Sequence, residues 1–485
     1  MFFERKKKKG GLTSPSIHLN YIYNLIYQVL TLLTPLITTP YISRVIGPDG
    51  TGVQSYTNSI VQYFAIVAAL GTTSYGQREI ARHRDDQEMR SRLFWEIEIL
   101  CAITTSICLA VWAGVILFSE TYTYFYLVLT MNLMAAAFDI SWFFGGLEQY
   151  GMIVTRNIIV KLTGIVCLFV FIKEKEDLLL YVALLAATTL FGNMSMWGYL
   201  KRFLTKVDIH SLRIKRHLKE TIVYFIPTVA TSVYTILDKT MLGWFTGNDK
   251  SQNGYYEYAA GIVNMGKVLI VSFNTVMSSR MSYLFAEKKR QEIQRMIEAS
   301  VDFVLLIGMP VMMGLAGIAS EFIPWFLGDA YRPVAALLYV CCPLILIVGF
   351  SDCMGSQILT PSGKRAQSGK VIVAGAVINA FLNRMMIPRF QAAGASIASV
   401  IAEIFITGAY LWLCRDYIRF SVIWKSGWKR CLAAVLMFFF VVWLGTRMDT
   451  GPAATFVQIG AGAVLYFAVL FVMRDKFLVR QLWKK

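Results

Sequence analysis

Apolar runs of about 20 residues recur along the whole chain, each long enough to cross a hydrocarbon core of about 30 Å, and short polar stretches separate them. They begin near Asn20, Gly52, Leu93, Tyr122, Gly151, Asp177, Lys219, Gly254, Val301, Arg332, Lys370, Ala393, Cys431 and Ala453. Lipid offers backbone N–H and C=O groups no partner outside their own segment, so runs of this kind fold as helices. The pattern predicts an all-α polytopic membrane protein with about 14 transmembrane helices. Pro35 and Pro40, in LTPLITTPYISRVIG, predict breaks in the ladder of the first helix, and Pro227 one in the seventh.

The pattern also repeats. Gly52, Tyr56, Ile60 and Arg78 recur as Gly254, Tyr258, Ile262 and Arg280 at a constant offset of 202, and Asp139 and Arg202 recur as Asp352 and Arg415 at an offset of 213. Two homologous six-helix lobes are expected, 20–205 and 206–417. A basic tail, 1–19, precedes them, and 418–485 adds two more helices and a second basic tail. Lobes with an even number of spans share one membrane orientation. They are then related by an axis along the membrane normal, with a cavity between them.

Composition agrees with the pattern. Of 485 residues, 56% are hydrophobic and 16% charged, against roughly a quarter charged in soluble domains, and the mean hydropathy is +0.54. The net charge of +17 raises the question of nucleic acid, and the placement of the basic residues answers it. The N-terminal tail, loops 77–92, 145–156, 201–219, 280–297, 355–370 and 414–430, and the C-terminal tail hold about 36 of the 47 Lys and Arg, and the alternate loops about 8. That asymmetry follows the positive-inside rule and puts both termini in the cytoplasm. Lys6 to Lys9 are then an orientation anchor on anionic lipid. MFFERKKKKGG is not followed by a short apolar run and a cleavage site, so no removable signal peptide is expected.

Cys101, Cys108, Cys167, Cys341, Cys342, Cys353, Cys414 and Cys431 lie in the spans or at their ends without metal-ligand spacing, as small packing residues do. His18, His83, His210 and His217 lie in or beside cytoplasmic segments. No metal site, cofactor or nucleotide motif such as GxxxxGK[ST] is expected, and neither is an enzyme, which would need a sizeable domain outside the membrane.

Charges deep within the spans carry the functional signal, because terminal ones snorkel to water. Lys267 lies 13 residues from both Gly254 and Arg280, close to 20 Å at about 1.5 Å per residue. Lys161 and Glu403 are about 10 residues into theirs, and Asp238 and Lys239 sit side by side in YTILDKTMLGWF. Adjacent helical positions point about 100° apart, so Asp238 and Lys239 each need a separate partner. The competing structural role for each is a buried ion pair holding helices together. Lys161, Lys239 and Lys267, outnumbering the deep carboxylates, point to a cationic cavity for a phosphate or diphosphate headgroup, with Arg78 and Arg280 at the ends of matching helices as further candidates. Asp238, Glu403 and Asp139 are candidates for charge balance or for a coupling ion, sodium or a proton. Glu96, Glu98, Asp139 and Asp352 lie nearer the cytoplasmic ends, where capping or gating contacts are expected.

WFFGGLEQYGMIVTRNIIVKLTG (142–164) resembles the "WFF-G-E-…-RN-…-K" signature of oligosaccharide flippases, the polysaccharide-transporter branch of the MOP (multidrug/oligosaccharidyl-lipid/polysaccharide) exporter superfamily. NYIYNLIYQVLTLLTPLITTPYISRVIG, LDKTMLGWFTG (237–247), GYYEYAAGIVNM (254–265) and GASIASVIAE (394–403) are also similar to that family, so the resemblance spans roughly 18–417. It implies a fourteen-helix, two-lobed fold that moves undecaprenyl-diphosphate-linked glycan from the cytoplasmic to the outer leaflet of the bacterial cell membrane, working beside glycosyltransferases and a glycan polymerase. By motif, Asp139, Trp142, Glu148, Arg156, Asn157 and Lys161 match the first signature. Gly145 stands where the family's common form has glutamine. Asp238, Lys239 and Lys267 belong to the later stretches. Two relatives of the same architecture remain as alternatives: a lipid II flippase of peptidoglycan synthesis, and a multidrug or cation antiporter, which predicts a chamber of carboxylates and aromatics.

Overall fold

In a computed structural model of the protein, residues 17–418 and 420–475 are described. The basic run Lys6–Lys9 and the C-terminal tail lie outside them, as do the side chains of His18 and Pro227. Every longer element among the described residues is helical. In chain order they are α1 (Ile17–Ala69), α2 (Thr72–Arg82), α3 (Gln87–Leu117), α4 (Thr123–Ala137), α5 (Ser141–Gly146), α6 (Tyr150–Phe171), α7 (Leu178–Ser195), α8 (Lys215–Phe245), α9 (Ser251–Ala286), α10 (Arg290–Leu327), α11 (Pro333–Cys341), α12 (Pro343–Met354), α13 (Arg365–Leu413), α14 (Phe420–Gly445) and α15 (Pro452–Val472). Among the described residues, eleven helical runs are long and apolar enough to cross a membrane. The runs through α1 and α13 each hold two helices merged across a kink, and α8 adds 31 residues, which is compatible with the fourteen spans expected.

The breaks fall where backbone torsion is cheap or close approach demands it. Helix runs on through Pro35 and Pro40, contrary to the expected interruption. The non-helical torsion of α1 is at Gly47, φ 74°, a conformation glycine adopts without a Cβ clash. In α13 the break is at Gln391, φ 50°, and the chain there doubles back so tightly that a Cβ on Gly394 would stand 2.4 Å from the Met386 carbonyl oxygen.

The chain folds into two compact units, residues 1–46 with 56–236, and residues 47–55 with 237–485. The first unit is centred on aromatic rings. Trp142, Phe143 and Phe144 of α5 are buried against Phe94 and Phe203, with Phe94 and Trp142 stacked at 5.6 Å. Glycine admits the rings, since a Cβ on Gly76 would lie 2.4 Å from Trp142 Cε3 and one on Gly146 2.8 Å from Ile80 Cβ. On α6, Ile159, Leu162, Val166 and Val170 form an exposed apolar stripe, as a lipid-facing helix requires.

In the second unit, a core of Leu242, Tyr256, Ile270, Val304, Ile323, Tyr331 and Leu338 joins α8 to α12. Arg430 of α14, almost fully buried, is held by Asp302 at 2.8 Å and Asp475 at 3.2 Å, tying the last helices to α10. The segment 47–55 crosses the start of α9 backbone to backbone. A Cβ on Gly52 would fall 1.7 Å from the Lys250 carbonyl oxygen, and one on Gly254 2.1 Å from that of Pro48. Both the glycines and the residues they touch are 202 positions apart, and Ser55 Oγ donates at 2.5 Å to Glu257 Oε2, again 202 positions away. Equivalent positions meeting reciprocally are what a local two-fold axis produces. Positions 202 apart, the offset of the sequence repeat, thus meet along this crossing.

The cysteines are free; Cys431 is exposed, whereas the others are buried or half-buried, as packing residues are.

Candidate functional site

Helix α8 carries the pair that makes this sequence unusual. It starts in the first unit and ends in the second, with Asp238 and Lys239 just past the boundary. Asp238 is 3% exposed, and a buried carboxylate is costly unless hydrogen bonds replace its water. Tyr256 of α9 donates to it at 2.6 Å and Asn383 of α13 at 2.6 Å, and Ser399 of α13 donates as well. All three donors are neutral. Asn383 also donates to Asn379 Oδ1 at 3.1 Å, the Asn379 amide is within hydrogen-bonding reach of Asp238, and Asn383 Oδ1 is buried with no hydrogen-bond partner. Groups of this type are normally satisfied. The result is an oxygen-rich nest of Asp238, Asn379, Asn383 and Ser399 carrying one formal negative charge. The donor set suits a hard cation or a proton.

Lys239 points elsewhere. Its ammonium pairs with Glu257 of α9 at 2.6 Å, both side chains a little over a quarter exposed, and Glu257 also accepts from Ser55. Asn253 donates to the Lys239 carbonyl at 2.7 Å, pinning α8 to α9 behind the pair. Lys267, further along α9, is within electrostatic reach of Glu403 on α13. Lys161 of α6, in the first unit, donates to Thr31 of α1 at 2.8 Å.

The remaining candidates are spread out. Arg78 of α2 donates to Tyr224 of α8, its guanidinium 5.8 Å from the ring centre. Arg280 lies over Tyr283 at 5.3 Å and 3.9 Å from Glu292. Asp139 accepts from the Ser141 N–H at 3.0 Å and so shapes the turn into α5. Asp352, its counterpart in the repeat, accepts from Asn274 at 2.9 Å beside a π-helical turn, Gly355–Leu359. Of the signature residues, Trp142 is core, Glu148 pairs at the surface with Arg84 at 3.1 Å, and Arg156 donates to Asn193 of α7 at 2.8 Å. Arg156 and Lys161 thus serve different helix contacts. Gly145 packs against the Gln77 side chain.

Near the start of α8, Glu96 of α3 is fully buried and fully engaged. It accepts from the Arg213 N–H at 2.7 Å and from Arg216 at 2.6 Å, and lies 2.7 Å from His217 Nε2, whose Nδ1 is 2.7 Å from Tyr75 Oη.

Sequence reasoning missed Glu257, Tyr256, Asn379, Asn383 and Ser399. Asn379 and Asn383 carried a usable signal, two amides at i, i+4 inside an apolar helix and therefore on one face.

A bundle of membrane-length helices in two units, each with polar contacts inside its spans, defines a transporter-type integral membrane fold. The chain belongs to the polysaccharide biosynthesis protein family, whose model matches residues 18–284. This is the family that the signature from Trp142 to Gly164 resembles. Among relatives, it is 20% identical over 413 residues to a protein of Escherichia coli (strain K12) named "Putative O-antigen transporter", a match covering 83% of this chain and 97% of that one. It is 22% identical over 385 residues to a protein of the same name from Shigella dysenteriae, covering 77% and 94%. Among solved structures it shares the fold of the lipid II flippase MurJ in an inward closed conformation, with TM-score 0.70, 14% identity, and coverage of 95% of this chain and 100% of that one. An inward-facing multidrug resistance MATE transporter of the MOP superfamily has TM-score 0.61, 14% identity and coverage of 84% and 99%.

Proposed function

We propose that this protein is a flippase that moves undecaprenyl-diphosphate-linked oligosaccharide units across the cytoplasmic membrane for surface polysaccharide synthesis. What supports this most is coverage. The family model matches more than half of the chain, and the proteins named as O-antigen transporters align over more than nine-tenths of their own length. The headgroup would be drawn to Lys239 and Lys267 of the second unit as access to them alternates between the two faces of the membrane; Lys161 and Arg78 in the first unit, and Arg280, are separate candidates for the same attraction. An anion reaching Lys239 competes with Glu257, so the ion pair serves as its resting partner. The Asp238 nest supports a coupling role for a sodium ion or proton: Asp238, Asn383, Asn379 and Ser399 would hold the ion, which would supply only the free energy that biases one conformation over the other.

The test is Lys239→Ala and Lys267→Ala in cells that depend on the protein for surface glycan. Loss of export at normal protein levels is expected, with Lys→Arg rescue distinguishing charge from shape. Normal export in both variants removes the binding role. Deleting the gene and identifying the lipid-linked glycan that accumulates inside separates a surface polysaccharide from lipid II, which the MurJ-like fold keeps as the second reading.

A further inference from the structure

The last two helices, α14 and α15, pack against α10, and one acid at that junction has no part in the transport reading. Glu321 of α10 is six residues from that helix's end at Leu327, and Gln458 of α15 is six residues from its start at Pro452. Each is then about 9 Å inside its helix. Gly445, the last residue of α14, makes room for both. A Cβ there would stand 2.4 Å from Gln458 Nε2 and 3.1 Å from Glu321 Cδ, so the carboxyl and the carboxamide lie side by side in the gap glycine leaves.

Their hydrogen bonding is incomplete in a matched way. Gln458 is fully buried; its Nε2 donates to the Val441 carbonyl at 3.1 Å, and its Oε1 has no donor. Glu321 is half-buried, and its Oε2 is enclosed, also without a donor. Among the described residues no ion pair includes Glu321. The charged and titratable groups at this end of α10 are engaged elsewhere. Tyr466 of α15 donates to the Leu306 carbonyl at 3.0 Å, Arg447 lies over Trp443 at 5.8 Å, and Arg332 pairs with Asp329 at 2.9 Å. Tyr339 of α11 is 3.1 Å from Ser320 Oγ, Tyr331 is 3.0 Å from Thr51 Oγ1, and Tyr255 and Tyr258 of α9 face the Tyr331 ring. Asp449, between α14 and α15, is exposed. Buried acceptors are normally satisfied, and an unpaired buried charge is costly. A hard divalent ion takes about six or more oxygens, and only two acceptors stand open here. One proton on Glu321 Oε2 supplies the donor that Gln458 Oε1 lacks and removes the charge.

We infer that Glu321 and Gln458 form a proton site, in which the Glu321 carboxylic acid donates through Oε2 to Gln458 Oε1 and joins α10 to α15. The proton fastens the last helices to the second unit without leaving a charge inside the membrane. The site is separate from the Asp238 nest and independent of the flippase reading.

The test is infrared spectroscopy of the full-length protein in nanodiscs at neutral pH. Subtracting the Glu321→Gln spectrum from that of the wild type should leave one carboxylic acid C=O band, which moves down in D2O, and no carboxylate band. Gln458→Leu should move the acid band up, as happens when the O–H loses its acceptor. Glutamine keeps the shape of the acid and a donor, so Glu321→Gln should melt within about 3 °C of wild type. Carboxylate stretches in place of the acid band overturn the site, and so does an acid band that Gln458→Leu leaves unmoved. If Glu321→Gln does not fold, the wild type against Gln458→Leu decides alone: a shifted acid band supports the site, and the absence of one overturns it.

Discussion

Two carboxylates, Glu96 and Asp238, are buried against or on α8, and they are satisfied in opposite ways. Glu96 receives a guanidinium, an imidazole and a backbone N–H, and the imidazole is held in turn by Tyr75. Its charge is matched where it stands. Asp238 receives a phenol, a hydroxyl and a carboxamide, all neutral, and the Asn383 amide oxygen beside it has no partner. Burial alone therefore does not mark a functional acid. The sign of its partners separates the two, and by that measure Glu96 holds helices together while Asp238 is the acid we propose for ion coupling.

The contrast can be broken most severely at Glu96. Glu96→Ala leaves the buried His217 and the Arg213 N–H without their acceptor, while Arg216, 40% exposed, can turn to water, so the cost is about 3 kcal/mol, the low end for breaking a buried pair. Melting of the purified protein should fall by far more than for any change at Asp238. Equal melting of Glu96→Ala and wild type would end the distinction. Asp238→Asn keeps shape and most hydrogen bonds, so melting should stay within ~1 kcal/mol of wild type, while glycan export and any dependence on sodium or pH are lost. Retained ion dependence in that variant would show that the coupling site lies elsewhere. His217→Phe removes the bridge between Tyr75 and Glu96 and preserves bulk, leaving two buried oxygens short of a partner at about 1–3 kcal/mol, seen as a smaller drop in melting. Arg82→Ala breaks an exposed pair with Glu79 at 3.0 Å and should change melting by no more than ~0.5 kcal/mol. It calibrates the others.

Much of the fold was legible because lipid imposes it: a helix of about 20 residues is the simplest way to cross. Every expected span start lies in or beside a helix of the structure. Where the chain bends was less legible. Proline advertises a break, but Pro35 and Pro40 sit within continuous helix, and the bends fall at Gly47 and Gln391, where close crossings decide. At the candidate site, the sequence exposed the charges but not their partners. Asp238 and Lys239 stand out in an apolar run, yet Ser399 and Asn383 reach Asp238 from about 145 to 160 residues away, a pairing that only tertiary packing creates. Glu257 was overlooked because it lies near a span end, where a carboxylate is ordinary. Counting lysines without it overstated the free positive charge around Lys239.

The crossing at Gly52 and Gly254 makes two distant positions answer to one clearance. Each has the other segment's carbonyl oxygen nearer than any side chain could stand, so an alanine at either position would wedge both segments apart.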